Sequence, residues 1–229
     1  MKVLLGISGA SGAVYGIRAG MALLAAGAEL HLLVTKVAWE IIAEEIPGGP
    51  PPPSLSARRR WIARLMPSPP GMCRLHPEDD FRIPFASGSN PPDAVVIAPC
   101  SMGMLARIAC GVSTSVLERC ADVALKERKP LVLVPRETPL SSIHLENMLA
   151  LSRAGAEILP ACPGFYHRPA SVEDLVDFVV SRILSRVGVG SALYPRWGEA
   201  AGEEEERKLR GAEPASVASP EPVTRKERR

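Results

Sequence analysis

The chain has 229 residues, 46% of them hydrophobic, and a formal net charge of +2, which supplies one substantial core and predicts a single folded domain. The near-neutral balance excludes the cationic footprint of a general nucleic-acid binder, with Arg58, Arg59 and Arg60 read as a solvated helix face, and no apolar run reaches the roughly 20 residues that span a bilayer. Cys73, Cys100, Cys110, Cys120 and Cys162 lack CxxC spacing and the start of the chain has no signal-peptide pattern, so reduced thiols, no membrane association and a cytoplasmic location are expected.

Lys2 to Ser8 is apolar at nearly every position, which suits a strand buried on both faces, and Ser11 to Ala26 then switches to helical composition. Glu29 to Val34 repeats the strand pattern, and Thr35 is placed to cap a helix that runs to Glu45. From Ile46 to Met72 the prolines of PGGPPPPS and MPSPPG flank a short basic amphipathic piece, SARRRWIARL, which predicts an excursion from the core. Alternation resumes with a strand at Ala94 to Ala98, a helix after Ser101, a second helix from Thr114 to Arg128 and a strand at Leu131 to Val134. A helix in SIHLENMLALSRAG, a short strand in EILPA and a last helix from Ser171 to about Arg186, opened by the capping box SVED, complete the series. This alternation predicts a doubly wound α/β fold, a parallel sheet covered on both faces in three αβα layers. Beyond Gly198 the charged tail, residues 199–229, has too little apolar content to offset ordering entropy and is expected to be disordered.

In such a sheet ligands sit outside the carboxyl ends of the strands, and the turn GISGASG, with Gly6, Gly9 and Gly12 at every third position, exposes backbone N–H groups to an anion at a helix N-terminus. The turn lacks the GK[ST] of a nucleoside triphosphatase, and the second strand ends Val34-Thr35-Lys36 without the acidic residue that would hold a dinucleotide ribose. A packing role for these glycines stays open. Three other stretches carry polar groups beside strands or in loops. Ser87-Gly88-Ser89 and Ser101-Met102-Gly103 flank the strand of FASGSNPPDAVVIAPCSMGML. Arg136 and Glu137 follow a strand directly, as ligand groups or as a surface ion pair. Tyr166 and His167 lie in the proline-framed loop PGFYHRP, ahead of Arg182. The four histidines show no metal-ligand spacing, and Cys100 and Cys120 read as core residues.

Together GISGASGAVYG, ASGSNPPDAVVIAPCSMGML, LERCADVALKERKPLVLVPRETPLSSIHLENML and PGFYHRPASVEDLVDFVVSRIL resemble the flavin prenyltransferases of the UbiX type, over about residues 1–45 and 81–198. The resemblance implies a Rossmann-like, FMN-binding domain in a homo-oligomer, a dodecamer, with active sites shared between subunits. It implies transfer of a dimethylallyl group from dimethylallyl phosphate to N5 and C6 of reduced FMN, without a metal, giving prenylated FMN for a UbiD-type decarboxylase.

On this resemblance Gly9, Ala10 and Ser11 fall on the first FMN-contacting turn, Thr35 on a further Ser/Thr contact, and Ser101, Met102, Gly103 and Met104 on the second FMN loop. Met104 stands where the family often has Thr, which leaves backbone contacts there. Arg136 matches another FMN position. Ser87, Gly88, Arg119, Lys126, Tyr166 and Arg182 align with the pocket for the prenyl phosphate, and Glu45, Ser11, Glu137 and Trp197 with positions tied to the chemistry. Ionising an allylic phosphate needs fixed positive charge on the leaving group and a π-rich, carboxylate-bearing wall for the cation, and ring closure at C6 needs a base, which the resemblance assigns to Glu45. Two other readings are a flavin-dependent cysteine decarboxylase and a non-catalytic FMN carrier. The first would want a histidine where FASGSN stands and an asparagine in PxMN where APCSMG stands, and the second has no use for a second phosphate pocket.

Overall fold

The computed structural model describes residues 1–48, 51–190 and 193–194. Among these, strands β1 (Lys2–Ile7), β2 (Glu29–Val34), β3 (Cys73–His76), β4 (Ala94–Cys100), β5 (Leu131–Pro135) and β6 (Glu157–Ile158) pair in parallel in the order β3-β2-β1-β4-β5-β6. The helices are α1 (Ala13–Ala25), α2 (Lys36–Glu45), α3 (Leu55–Leu65), α4 (Met102–Ala109), α5 (Val116–Lys126), α6 (Ser142–Arg153) and α7 (Val172–Arg186). Successive strand residues face opposite sides. Val3, Leu5 and Ile7 of β1 pack with α1, α2, α3 and α7, whereas Leu4 of β1 and Val95 and Ile97 of β4 pack with α4, α5 and α6. Both faces are therefore covered, as the uninterrupted apolar strands require. No helix among the described residues is long and apolar enough to cross a membrane.

Segment 46–72 departs from the expected excursion. Its prolines stay outside the helix, while α3 buries Trp61 and Ile62, with Met66 just after, in the core beside α1, and the chain returns as the edge strand β3. The segment is thus the crossover that carries β2 to β3. The arginine cluster is also only partly solvated: the Arg58 guanidinium lies 4.6 Å from the Trp39 ring centroid, and Arg59 Nε donates to Leu75 O at 3.1 Å. All five cysteines are free; burial pushes the Cys100 and Cys120 thiols up to about 12, consistent with core residues.

Each of α2 through α7 begins on a Ser or Thr whose hydroxyl accepts a first-turn amide, namely Thr35, Ser54, Ser101, Ser115, Ser141 and Ser171. Helix α1 differs. Its N-cap is Gly12 at φ 102°, in the left-handed region, with no side chain to cap it.

Two predictions follow from the packing. At Gly16 a Cβ would lie 2.2 Å from the Ala98 carbonyl oxygen and 2.8 Å from Ile7 Cγ1. Gly16→Ala should therefore destabilise the fold by about 2 kcal/mol despite the better helix propensity of alanine, seen as a Tm lower by about 5 °C. Between β2 and β3, His31 Nδ1 lies 2.8 Å from His76 Nε2 and His31 Nε2 lies 3.1 Å from Glu29 Oε1. Burial, reinforced by His31, Arg59 and Arg74, pushes His76 down to about 4 from its ordinary 6.5, and burial lowers His31 as well. Over that window the unfolded chain takes up protons that the fold refuses, so stability rises with pH from about 4 to about 6.5. Urea midpoints should drop between about pH 7 and about pH 5, and His76→Gln should flatten that slope.

Candidate functional site

The strand order reverses direction between β1 and β4: α1 leaves β1 to one face and α4 leaves β4 to the other, which opens a crevice at the carboxyl ends of these two strands. Ser8, 1% exposed, sets its geometry. Its amide and its hydroxyl both donate to Pro99 O, at 3.1 and 2.9 Å, and the hydroxyl accepts from Ser101 N at 2.8 Å. The turn after β1 is thereby tied to the loop after β4.

The anion at the N-terminus of α1 is the protein's own. Gly12 N donates to Glu45 Oε1 and Oε2 at 3.1 and 2.9 Å, and Ala13 N donates to Glu45 Oε2 at 2.8 Å. Glu45, the last residue of α2, supplies the cap that Gly12 cannot, and its carboxylate favours the positive end of the helix. Arg136 Nε donates to Ser11 O at 2.9 Å, which fixes the backbone of an exposed Ser11. Among the described residues Arg136 and Glu137 form no ion pair with each other; Glu137 Oε1 accepts from Thr138 N at 3.1 Å.

On the remaining walls Thr35 Oγ1 accepts from Ala38 N at 3.2 Å, which leaves its hydroxyl proton to donate, and Ser101 Oγ accepts from Met104 N at 3.4 Å. Lys36 N donates to Glu78 Oε2 at 2.6 Å and Val116 N to Glu78 O at 3.4 Å, so Glu78 braces the start of α2 against that of α5. Met102 and Met104 bury their side chains in the α4, α5 and α6 core, so this loop offers its backbone. At Gly103 an added Cβ would meet only Arg107 Nη1, at 3.5 Å. The open backbone there, above first-turn amides that have no intrahelical partner, suits the flat, acceptor-rich ring or the phosphate of a flavin mononucleotide.

A second group gathers along α5. Arg119 Nε donates to Ala86 O at 3.0 Å and its Nη1 to Asp122 Oδ2 at 2.6 Å, while Lys126 pairs with Glu127. A Cβ on Gly88 would lie 2.1 Å from Lys126 Nζ, so a side chain there would displace the end of that lysine; Ser87 Oγ is 2.9 Å from Ser89 Oγ. Glu118, 1% exposed, anchors α5 by accepting from Arg107, from Thr114 N and Oγ1 at 2.8 Å each, and from Ser115 N at 2.9 Å. Burial opposes its charge, yet these donors hold its carboxyl below the usual range. Lys126 sits at the amino edge of the sheet, the length of α5, about 16 Å, from the glycine crevice. Tyr166 and Arg182 form a third group, each beside the Phe178 ring: ring centroids of Tyr166 and Phe178 are 5.8 Å apart, and the Arg182 guanidinium lies 5.5 Å from the Phe178 centroid. Trp197 lies outside the described residues.

One protomer therefore joins Gly9, Ala10, Ser11, Thr35, Glu45, Ser101 and Arg136 at one crevice, groups Ser87, Gly88, Arg119 and Lys126 along α5, and sets Lys126 at the far end of that helix. Ser8, Glu78 and Glu118 are structural supports that sequence reasoning left without a role. Ser8→Ala removes the acceptor of Ser101 N, so FMN affinity, read by fluorescence quenching, should fall about tenfold. An unchanged affinity would mean that the Ser101 loop holds itself.

The chain matches the Flavoprotein family model over residues 1–184. Flavin prenyltransferase UbiX of Pseudomonas aeruginosa is 50% identical over 202 residues, 86% of this chain and 94% of that protein. A crystal structure of AnUbiX in complex with FMN and dimethylallyl pyrophosphate superposes with a TM-score of 0.76 at 38% identity, over 86% of this chain and 97% of that one. A dodecameric FMN-dependent UbiX-like decarboxylase from Escherichia coli O157:H7 superposes with a TM-score of 0.76 at 40% identity, over 86% and 99%. A likeness at half of the positions over 86% of this chain and 94% of the Pseudomonas relative is one of descent, and this chain belongs to the UbiX family of flavin prenyltransferases.

Proposed function

We infer that the protein transfers a dimethylallyl group from dimethylallyl phosphate to N5 and then C6 of reduced FMN, and that the prenylated FMN passes to a UbiD-type decarboxylase. The observation that carries the reading is the Glu45 carboxylate held at the crevice by the amides of Gly12 and Ala13. Reduced FMN supplies the nucleophilic ring atoms. Gly9, Ala10, Ser11, Thr35, the 101–104 backbone and Arg136 bind and orient it. Glu45 accepts the proton released from C6: Oε2 takes two amide bonds, whereas Oε1 takes one, at 3.1 Å, and keeps room for a proton. The Ser11 hydroxyl faces the reactive edge of the ring.

Ser87, Gly88, Arg119, Lys126, Tyr166 and Arg182 bind the donor's phosphate, and the three cations stabilise its charge as the allylic bond ionises. Because α5 sets Lys126 far from the crevice of its own chain, a neighbouring copy supplies this group, in a homo-oligomer of the dodecameric kind found for the Escherichia coli relative. Glu137 and Trp197 are tied to the chemistry by the family resemblance. A carboxylate base beside one anion site, with a separate set of cations, exceeds what flavin storage or cysteine decarboxylation would require.

Anaerobic incubation with reduced FMN and dimethylallyl phosphate should give FMN plus one C5 unit by mass spectrometry. Unchanged FMN with every prenyl donor would sink the reading, and decarboxylation of a cysteine peptide would replace it. Glu45→Gln keeps an acceptor for the α1 amides but no base: FMN affinity should stay within about twofold while product formation falls about 100-fold or more. Turnover at the parental rate would remove Glu45 as the base.

A further inference from the structure

The loop that carries Tyr166 also buries an imidazole without a partner. Both ring nitrogens of His167 are shielded from solvent and make no hydrogen bond. The ring stacks on Phe178 at 5.6 Å and 8°, meets Tyr166 at 5.6 Å and 77°, and lies 5.5 Å from Tyr194. A neutral imidazole brings one donor and one acceptor, and leaving both unmet among aromatic rings costs free energy that a phenylalanine in the same place would not. The carboxylate on the following helix does not answer it: Asp174 Oδ2 accepts from Ala170 N at 2.8 Å and Ser171 N at 3.0 Å, and no hydrogen bond joins this carboxylate to the imidazole.

We propose that His167 is a further ligand of the donor's phosphate, donating an imidazole N–H to a phosphate oxygen between Tyr166 and Arg182. The proposal rests on the reading that Tyr166 and Arg182 hold that phosphate. The Phe178 ring is the shared reference: His167 stacks on it at 5.6 Å and the Arg182 guanidinium lies 5.5 Å from its centroid, so the imidazole and the guanidinium are neighbours of one ring. The Arg168 backbone at φ 53° turns the chain sharply just after His167, which directs the imidazole inward while Phe165 and Tyr166 stay exposed at 68% and 39%. Tyr166, 39% exposed, is the side of this cage from which the phosphate would approach.

The test uses the full-length, FMN-loaded protein with inorganic phosphate and pyrophosphate as calorimetric probes, and with dimethylallyl phosphate for kinetics. His167→Phe preserves the ring stack and removes the polar atoms. It should raise the Tm by a few degrees, leave FMN affinity unchanged, weaken both anions about tenfold and raise the KM for dimethylallyl phosphate more than it lowers kcat. His167→Gln, which offers an N–H again, should recover part of the anion affinity. Parental anion affinity and KM in His167→Phe would overturn the proposal in favour of packing, and a smaller assembly with anion affinity intact would assign the nitrogens to a contact between copies. Tyr166→Phe and Arg182→Gln separate the two layers of inference. If they weaken phosphate while His167→Phe does not, the histidine inference alone fails; if neither weakens it, the phosphate-site reading itself fails.

Discussion

The three hydrogen bonds of Ser8, two to Pro99 O and one from Ser101 N, fasten the carboxyl ends of β1 and β4 where the chain departs toward both faces near the middle of the sheet. Such a place has a structural cost. Two loops diverge there, their first-turn amides have no backbone partner within the helix, and no strand continues to cover them. A buried hydroxyl that both donates and accepts closes the gap between the loops from beneath and leaves their upper surface to a ligand. The positions of Ser11, Ser101 and Gly103 relative to one another all descend from that tie.

Above it, the missing cap of α1 decides the electrostatics. Glycine at 12 permits the left-handed turn but offers no hydroxyl, and the vacancy is filled from α2 by Glu45. A helix N-terminus attracts any anion, so a carboxylate anchored there excludes a phosphate from the same amides and repels one placed beside it. The base and the leaving group of the proposed reaction therefore need separate anchors. The molecule has them: amides for Glu45 on α1, and the cations of α5 and α7 elsewhere.

Most of the fold was legible because its strands are apolar on both faces and six of its helices open on a hydroxyl cap. Strand β3 was not, since CRLH places Arg74 and His76 on one side of an edge strand and breaks the apolar run by which its neighbours announce themselves. Helix α3 was misjudged for a related reason: three arginines dominate its composition, while burial of Trp61 and Ile62 suffices to bind it to the core. Within the site, the hold of Gly12 on Glu45 spans 33 residues and leaves no local spacing to read. Ser8 looks like any small residue at a strand end. Glu118 did carry a signal, the S-x-x-E box that begins at Ser115, but that pattern marks a helix start and is silent about the buried pairing with Arg107.

In the proposed reaction the cations of α5 give assembly a role in the chemistry. In the single protomer Arg119 is paired with Asp122 and Lys126 with Glu127, and the Lys126 side chain is 46% exposed. Charges so placed are screened by water and already neutralised, and they would do little for a phosphate leaving from a carbon. In the shared site proposed above, a second copy brings its crevice over these side chains and removes the water. The same two cations then act across a lower effective dielectric, where the incoming phosphate competes with Asp122 and Glu127 for them. Oligomerisation would thus supply the catalytic field itself, and a protomer that folds and binds flavin perfectly well alone would still lack it.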